Sequence, residues 1–210
     1  MEVITAIRKG RGKMHITVND CEEIQIPFAL FRERPLQEGQ PINLEEYDQW
    51  LLLRQYRHAL DRAVGYLASR AHSRKEIEDK LYRAGYRPCT VEMVIYKLEK
   101  EKLLNDADFA RQWVESRTNR KMGQRRIAME LRRKGVSASE TEDALAELSS
   151  DDQLEAAVSL AEKAMSRSKA GEDPRKTANR IAGMLVRRGY SWDLAREAIS
   201  RVCSAADDID

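Results

Sequence analysis

Proline and glycine are scarce in this sequence, with five prolines and ten glycines in 210 residues. That scarcity excludes collagen-like and low-complexity chains and favours helix over sheet. Cysteine is scarcer still. Cys21, Cys89 and Cys203 are far apart, form no CxxC pair and have no metal-ligand spacing with His15, His58 or His72. Three reduced thiols are expected, rather than a disulfide framework or a metal site. No apolar run is long enough to span a bilayer. The first residues carry Glu2, Arg8 and Lys9 where a signal peptide has an apolar stretch, so a cytoplasmic protein without membrane contact is the expectation. Catalytic motifs are missing too: there is no glycine-rich phosphate loop and no HExxH, and the histidines are scattered. Carboxylates sit among lysines and arginines at helical spacing, as Asp79 does with Arg83, which reads as a solvated helix face. A non-enzymatic protein is expected, with no cofactor and no catalytic or metal-binding residue.

Charge is abundant although its sum is nearly zero. Charged residues make up 34% of the chain and hydrophobic ones 42%, with a net charge of only +2. This combination suits an elongated, soluble helical protein. The charge is unevenly spread. From Arg111 to Lys134 there are nine basic side chains against only Glu115 and Glu130, the largest local excess in the chain.

The texture changes along the sequence. Val3–Ile7, Met14–Val18 and Ile24–Ile26 are short β-branched or alternating segments separated by Gly10-Arg11-Gly12 and Asn19-Asp20. They read as two or three strands in a hairpin-like extension over 1–43, too small to be stable alone and expected to pack on the helix that follows. Pro35, Gly39 and Pro41 then break the chain. Asn43 is a plausible N-cap for a helix reaching about Arg70, with Leu52, Tyr56, Leu60, Val64 and Leu67 on one face. Helices and short turns are expected from there on, ending in an acidic tail over 205–210.

An internal repeat organises this helical part. With Gly85, Gly135 and Gly189 in register, Ile77, Ile127 and Ile181 stand eight positions before them, and Leu81, Leu131 and Leu185 four before. Tyr86, Val136 and Tyr190 follow immediately. Val91, Thr141 and Ala195 come six after, Val94, Ala144 and Ala198 nine after, Ile95, Leu145 and Ile199 ten after, and Leu98, Leu148 and Val202 thirteen after. Isoleucine and leucine share a helix face, glycine takes the left-handed C′ position, the next residue staples the turn, and the later columns form one face of the next helix. Ala63, Leu67 and Ala68, then Phe109, Trp113 and Val114, then Ala157, Leu160 and Ala161 supply an upstream helix. The chain is therefore expected to be all-α beyond its extension, with three tandem three-helix bundles at 44–104, 105–150 and 151–204 forming an elongated, curved body. The third unit's extra length falls near Ser166 to Asp173, and Pro174 suits a helix start.

These residues carry a resemblance. Tyr66–Ile77 and Lys80–Tyr86 resemble the first repeat of RecX regulatory proteins. Asn105–Val114, Gly123–Ile127 and Glu130–Val136 resemble the second, and Arg187–Trp192 the third. The resemblance covers roughly 59–202. It implies a modulator of the RecA recombinase that binds in the groove of the RecA–DNA filament and inhibits its ATPase, strand-exchange and coprotease activities. It implies DNA contact that is weak or made through the filament, a monomeric chain, and no cofactor.

The expected contact surface is basic. Arg125, Arg126, Arg132 and Arg133 recur at a seven-residue spacing and so form a stripe on one helix. Arg117, Arg120 and Lys121 lie just upstream, Lys134 just downstream, and Arg187 and Arg188 occupy the matching place in the third repeat. Such a stripe suits phosphates or an acidic protein surface, although charge alone would more often mean a solvated bundle exterior. Trp113 shares helical spacing with Phe109 and is expected in the core. Two other readings stay open. One is a helix-turn-helix DNA-binding protein using Ser73–Leu103, against which Glu92, Glu99 and Glu101 place acid on the would-be recognition helix. The other is a purely structural helical adaptor.

Overall fold

The computed structural model describes residues 2–168 and 173–207, and contains four strands and ten helices among them. It divides into two compact units, residues 1–105 and 106–210.

The first unit begins with a four-stranded antiparallel sheet: β1 (Glu2–Lys9), β2 (Lys13–Val18), β3 (Glu22–Pro27) and β4 (Pro41–Ile42), in the order β3-β2-β1-β4. Asn19 and Asp20, both at positive φ, make the tight β2–β3 connection. Alternation along β2 buries Met14, Ile16 and Val18. With Ile4, Ile26 and Leu30 they form a core closed by Tyr47 and Leu51. Two features were not expected. Pro41-Ile42, read from sequence as a break, adds a strand on β1, with Val3 opposite Pro41. A six-residue helix α1 (Phe28–Glu33) follows β3, with no side-chain cap and no first-turn acid to announce it.

Helix α2 (Leu44–Ser69) starts where Asn43 caps it, its side chain accepting from the Glu46 N–H at 3.2 Å. Its first half serves the sheet core. Its second half forms the first bundle with α3 (Arg74–Arg83) and α4 (Pro88–Lys100). The buried positions are Tyr47, Leu51, Gln55, Ala59 and Ala63. The expected face of Leu52, Tyr56, Leu60, Val64 and Leu67 is therefore rotated by about one residue, or ~100°. Leu52 and Val64 are exposed, while Tyr56, Leu60 and Leu67 only flank the core. The small side chains of Ala59 and Ala63 let α4 pack closely, and periodicity scored on large residues overlooks them. Ala68 is exposed as well.

The second unit holds α5 (Asp106–Thr118), α6 (Gln124–Arg133) and α7 (Ala138–Ala146), then α8 (Ser150–Met165), α9 (Pro174–Arg187) and α10 (Trp192–Asp207). Each triplet has its own core. The repeat columns are the core of all three bundles: Ile77, Ile127, Ile181, Leu81, Leu131 and Leu185 are each at most 1% exposed. The three glycines close their helices with φ of +88°, +82° and +99°. In each turn the glycine N–H donates to the carbonyl three residues back, and the next N–H to the carbonyl five residues back: Tyr86 to Leu81, Val136 to Leu131 and Tyr190 to Leu185, all at 3.2 Å. That is the two-bond closure of a Schellman motif. Part of the extra length near Ser166 to Asp173, at 169–172, and positions 208–210 of the acidic tail lie outside the described residues.

Candidate functional site

The basic stretch falls on α5, α6 and the turn between them, and the structure divides its ten candidate cations by what they touch. Arg117 turns inward. Its Nε donates to Glu130 Oε2 at 2.6 Å, its guanidinium lies 3.8 Å from the Trp113 ring centre, and it is 15% exposed. Lys134 approaches the same ring from the C-cap of α6, with Nζ at 4.0 Å. Trp113 stacks on Phe109 and donates through Nε1 to Glu130 at 3.1 Å. Burial pushes the Glu130 carboxyl up, but hydrogen bonds and charge from Arg117, with Trp113 and Arg126, outweigh it and hold it below its ordinary value. Arg117 and Lys134 thus cover the side of the second bundle as aromatic–cation packing.

A second group joins the two bundles of this unit. The turn before α6 meets the turn after α9 backbone to backbone: the Gly123 N–H donates to the Arg188 carbonyl and the Arg125 N–H to the Gly189 carbonyl, both at 3.0 Å. The Arg126 guanidinium donates to the Arg187 carbonyl at 3.4 Å, and that of Arg188 to the carbonyls of Arg120 and Lys121 at 3.5 Å. Lys121, at φ +53°, reaches α8 and donates to Ser159 Oγ at 2.6 Å.

The remaining five, Arg120, Arg125, Arg132, Arg133 and Arg187, are exposed, and their side chains make no hydrogen bond or ion pair among the described residues. Arg125 and Arg132 are seven residues apart on α6, about 10 Å along its axis. Arg125 and Arg187, 62 positions apart in the sequence, flank the same backbone junction. Two basic clusters that the sequence places far apart are therefore neighbours.

Sequence reasoning missed three contributors here. Gly123 makes the junction, Ser159 receives Lys121, and Glu130 gathers three donors. Only Gly123 left a signal, because glycine stands where the first bundle has the capping Ser73. The Asp79–Arg83 side-chain pair does not form: Arg83 Nε donates instead to the Asp79 backbone carbonyl at 2.9 Å. Trp192 is half exposed. Among the described residues no group of three or more His, Cys, Asp or Glu could hold a metal ion, and no helix is long and apolar enough to cross a membrane.

Comparison with known proteins places this arrangement. Family models described as the first, second and third three-helix domains of RecX match residues 59–98, 105–145 and 151–199. The chain is 37% identical over 138 residues to the Regulatory protein RecX of Mycobacterium sp. (strain JLS), covering 64% of this chain and 75% of the relative. It is 37% identical over 147 residues to that of Prosthecochloris aestuarii, covering 70% of this chain and 94% of the relative. The crystal structure of RecX from Lactobacillus salivarius superposes with a TM-score of 0.66 at 30% identity, over 70% of this chain and 96% of that one. A second structure, titled regulatory protein RecX, shares the fold at a TM-score of 0.67 and 23% identity, over 96% of this chain and all of the other.

Proposed function

The chain belongs to the RecX family, and on that premise we propose that it is a non-enzymatic regulator that binds the RecA–DNA filament and lowers its ATPase, strand-exchange and coprotease activities. Its contact surface is the basic face of the second unit. The observation that carries this reading is the junction between the second and third bundles, which brings the exposed Arg125 and Arg187 beside one backbone contact, with Arg132 and Arg133 exposed further along α6. Unpaired, exposed guanidinium groups at fixed spacing suit a partner rich in phosphates or carboxylates. Arg117, Lys134, Lys121, Arg126 and Arg188 hold the surface together, and the Arg120 carbonyl accepts from Arg188. DNA contact is made mainly through the filament.

The test is RecA ATPase on single-stranded DNA, measured as this protein is titrated in. The rate is expected to fall with dose. An unchanged rate at excess protein would remove the recombinase reading. A sequence-dependent gel shift on duplex DNA alone would favour a helix-turn-helix reading instead, although α4 carries Glu92 and Glu99, with Glu101 at its C-cap, where such a helix meets phosphates. No binding to either would leave a structural adaptor.

A further inference from the structure

Gly123 is a glycine in the second unit whose identity its own backbone conformation does not explain. Its φ of −76° and ψ of 152° are open to any residue. It caps α6 without a side-chain bond, whereas the first bundle has Ser73 at the same distance before its turn glycine, with a full capping box. Serine at 123 would be the better cap by itself. What forbids it is proximity. A Cβ on Gly123 would lie 2.3 Å from both the Gly189 carbonyl carbon and the Tyr190 nitrogen, and 2.5 Å from the Gly189 oxygen. These are backbone atoms inside a closed turn and cannot swing away. From the other side, a Cβ on Gly189 would meet the Arg126 Cβ at 2.4 Å and nitrogen at 2.5 Å. Gly189 needs glycine for its φ of +99° in any case. Gly123 does not.

The geometry points to Gly123 as a positioning residue for filament regulation: its missing side chain lets the second and third bundles lock through their backbones, so that Arg125 and Arg187 act as one surface. This rests on the filament-binding reading above. A junction of peptide groups has no rotamers to freeze, so the two arginines keep a fixed spacing before a partner arrives. A pre-organised surface loses less on binding than two independently moving bundles would. The side chains of Arg126, Arg188 and Lys121 reinforce the lock by donating to carbonyls and a hydroxyl across it.

The experiment compares the full chain with Gly123→Ala, Gly123→Ser and Lys121→Ala, using Gln124→Ala as an exposed neighbouring control. Two readouts are taken: amide hydrogen exchange of Gly123 and Arg125, and inhibition of RecA ATPase. Both glycine variants should expose those two amides while the Ile127 and Leu131 amides stay protected. The protein concentration that halves the ATPase rate should rise about tenfold or more, as expected when linked contacts become independent. Lys121→Ala, which removes only the Ser159 bond, should move both readouts less and in the same order. Serine separates capping from locking, since a local helix effect would make Gly123→Ser better than wild type. Exposed amides with unchanged inhibition would overturn the positioning role. Protected amides in Gly123→Ala would overturn the lock itself. If wild type does not inhibit RecA, the functional reading has failed, and the exchange data still report on the lock.

Discussion

The residue that best shows how this surface is supported is Glu130. Its carboxylate accepts from Trp113, Arg117 and Arg126, with Nε–O distances of 3.1, 2.6 and 3.5 Å. It lies between the aromatic packing of α5 and the junction before α6. Hydrogen bonds to a charged acceptor stabilise more than neutral ones, and removing the acceptor strands its donors. Glu130→Ala is expected to destabilise the second unit by about 1–3 kcal/mol, read from the midpoint of denaturant unfolding. The sign of its pH dependence follows from its lowered folded-state pKa. The ion-pair contribution is present in full above the ordinary value of 4.5 and is lost as pH falls through the lower folded value. The stability gap between wild type and Glu130→Gln should therefore close as the solution is acidified past that range. A gap that widened in acid would show that the charge is not what Glu130 supplies. None of this was legible in the sequence, where Arg117 and Glu130 are two of many charges. Position along the chain does not say which arginine is drawn onto a tryptophan and which is left facing solvent.

Among the helices and turns, legibility tracked how local the determinant is. The Ile, Leu and Gly columns are set by helix periodicity and by the φ that only glycine adopts freely, and both are readable without a partner. Helix α1 and strand β4 are held by the sheet core and the Val3–Pro41 pairing, contacts that no local pattern encodes. The glycine turn also serves a second purpose. In the first unit Gly85 closes α3 and also lies against Lys13 and Pro27 of the sheet, where a Cβ would meet Lys13 Cβ at 2.7 Å. In the second unit Gly189 closes α9 and receives Gly123 and Arg126. One sequence signal thus marks both a helix end and a docking place, and only the first is visible in advance. The caps can be tested separately. Ser137 and Glu140 form a reciprocal box on α7, with Glu140 N–H to Ser137 Oγ and Ser137 N–H to Glu140 Oε2 both at 3.2 Å. Ser137→Ala is expected to cost about 1 kcal/mol and lower the thermal midpoint without changing the inhibition of RecA proposed above, because no candidate cation touches the box. A loss of inhibition at unchanged stability would place α7 in the contact surface.

For the whole molecule, the net charge of +2 conceals an uneven distribution, with nine basic side chains and two acidic ones between Arg111 and Lys134. Of the ten candidate cations, five make side-chain contacts within the protein and five are exposed with none among the described residues. This division has a measurable consequence in salt. If Arg125, Arg132 and Arg187 meet phosphates of the filament's DNA, three contacts give a slope of about −2 to −3 for the logarithm of affinity against the logarithm of salt concentration. Raising monovalent salt fourfold should then raise the concentration that half-inhibits RecA ATPase by roughly fifteenfold to sixtyfold. Substituting Arg125 and Arg187 together by alanine should flatten that slope by about two-thirds and weaken inhibition at low salt, with the unfolding midpoint unchanged because neither side chain has a partner to lose. Arg117→Ala should do the reverse: it should lower the midpoint, because it breaks the 2.6 Å bond to Glu130, and leave the slope unchanged. If instead the double variant inhibits with the wild-type slope, the exposed arginines are only a solvated exterior, and the contact with the filament lies on another face.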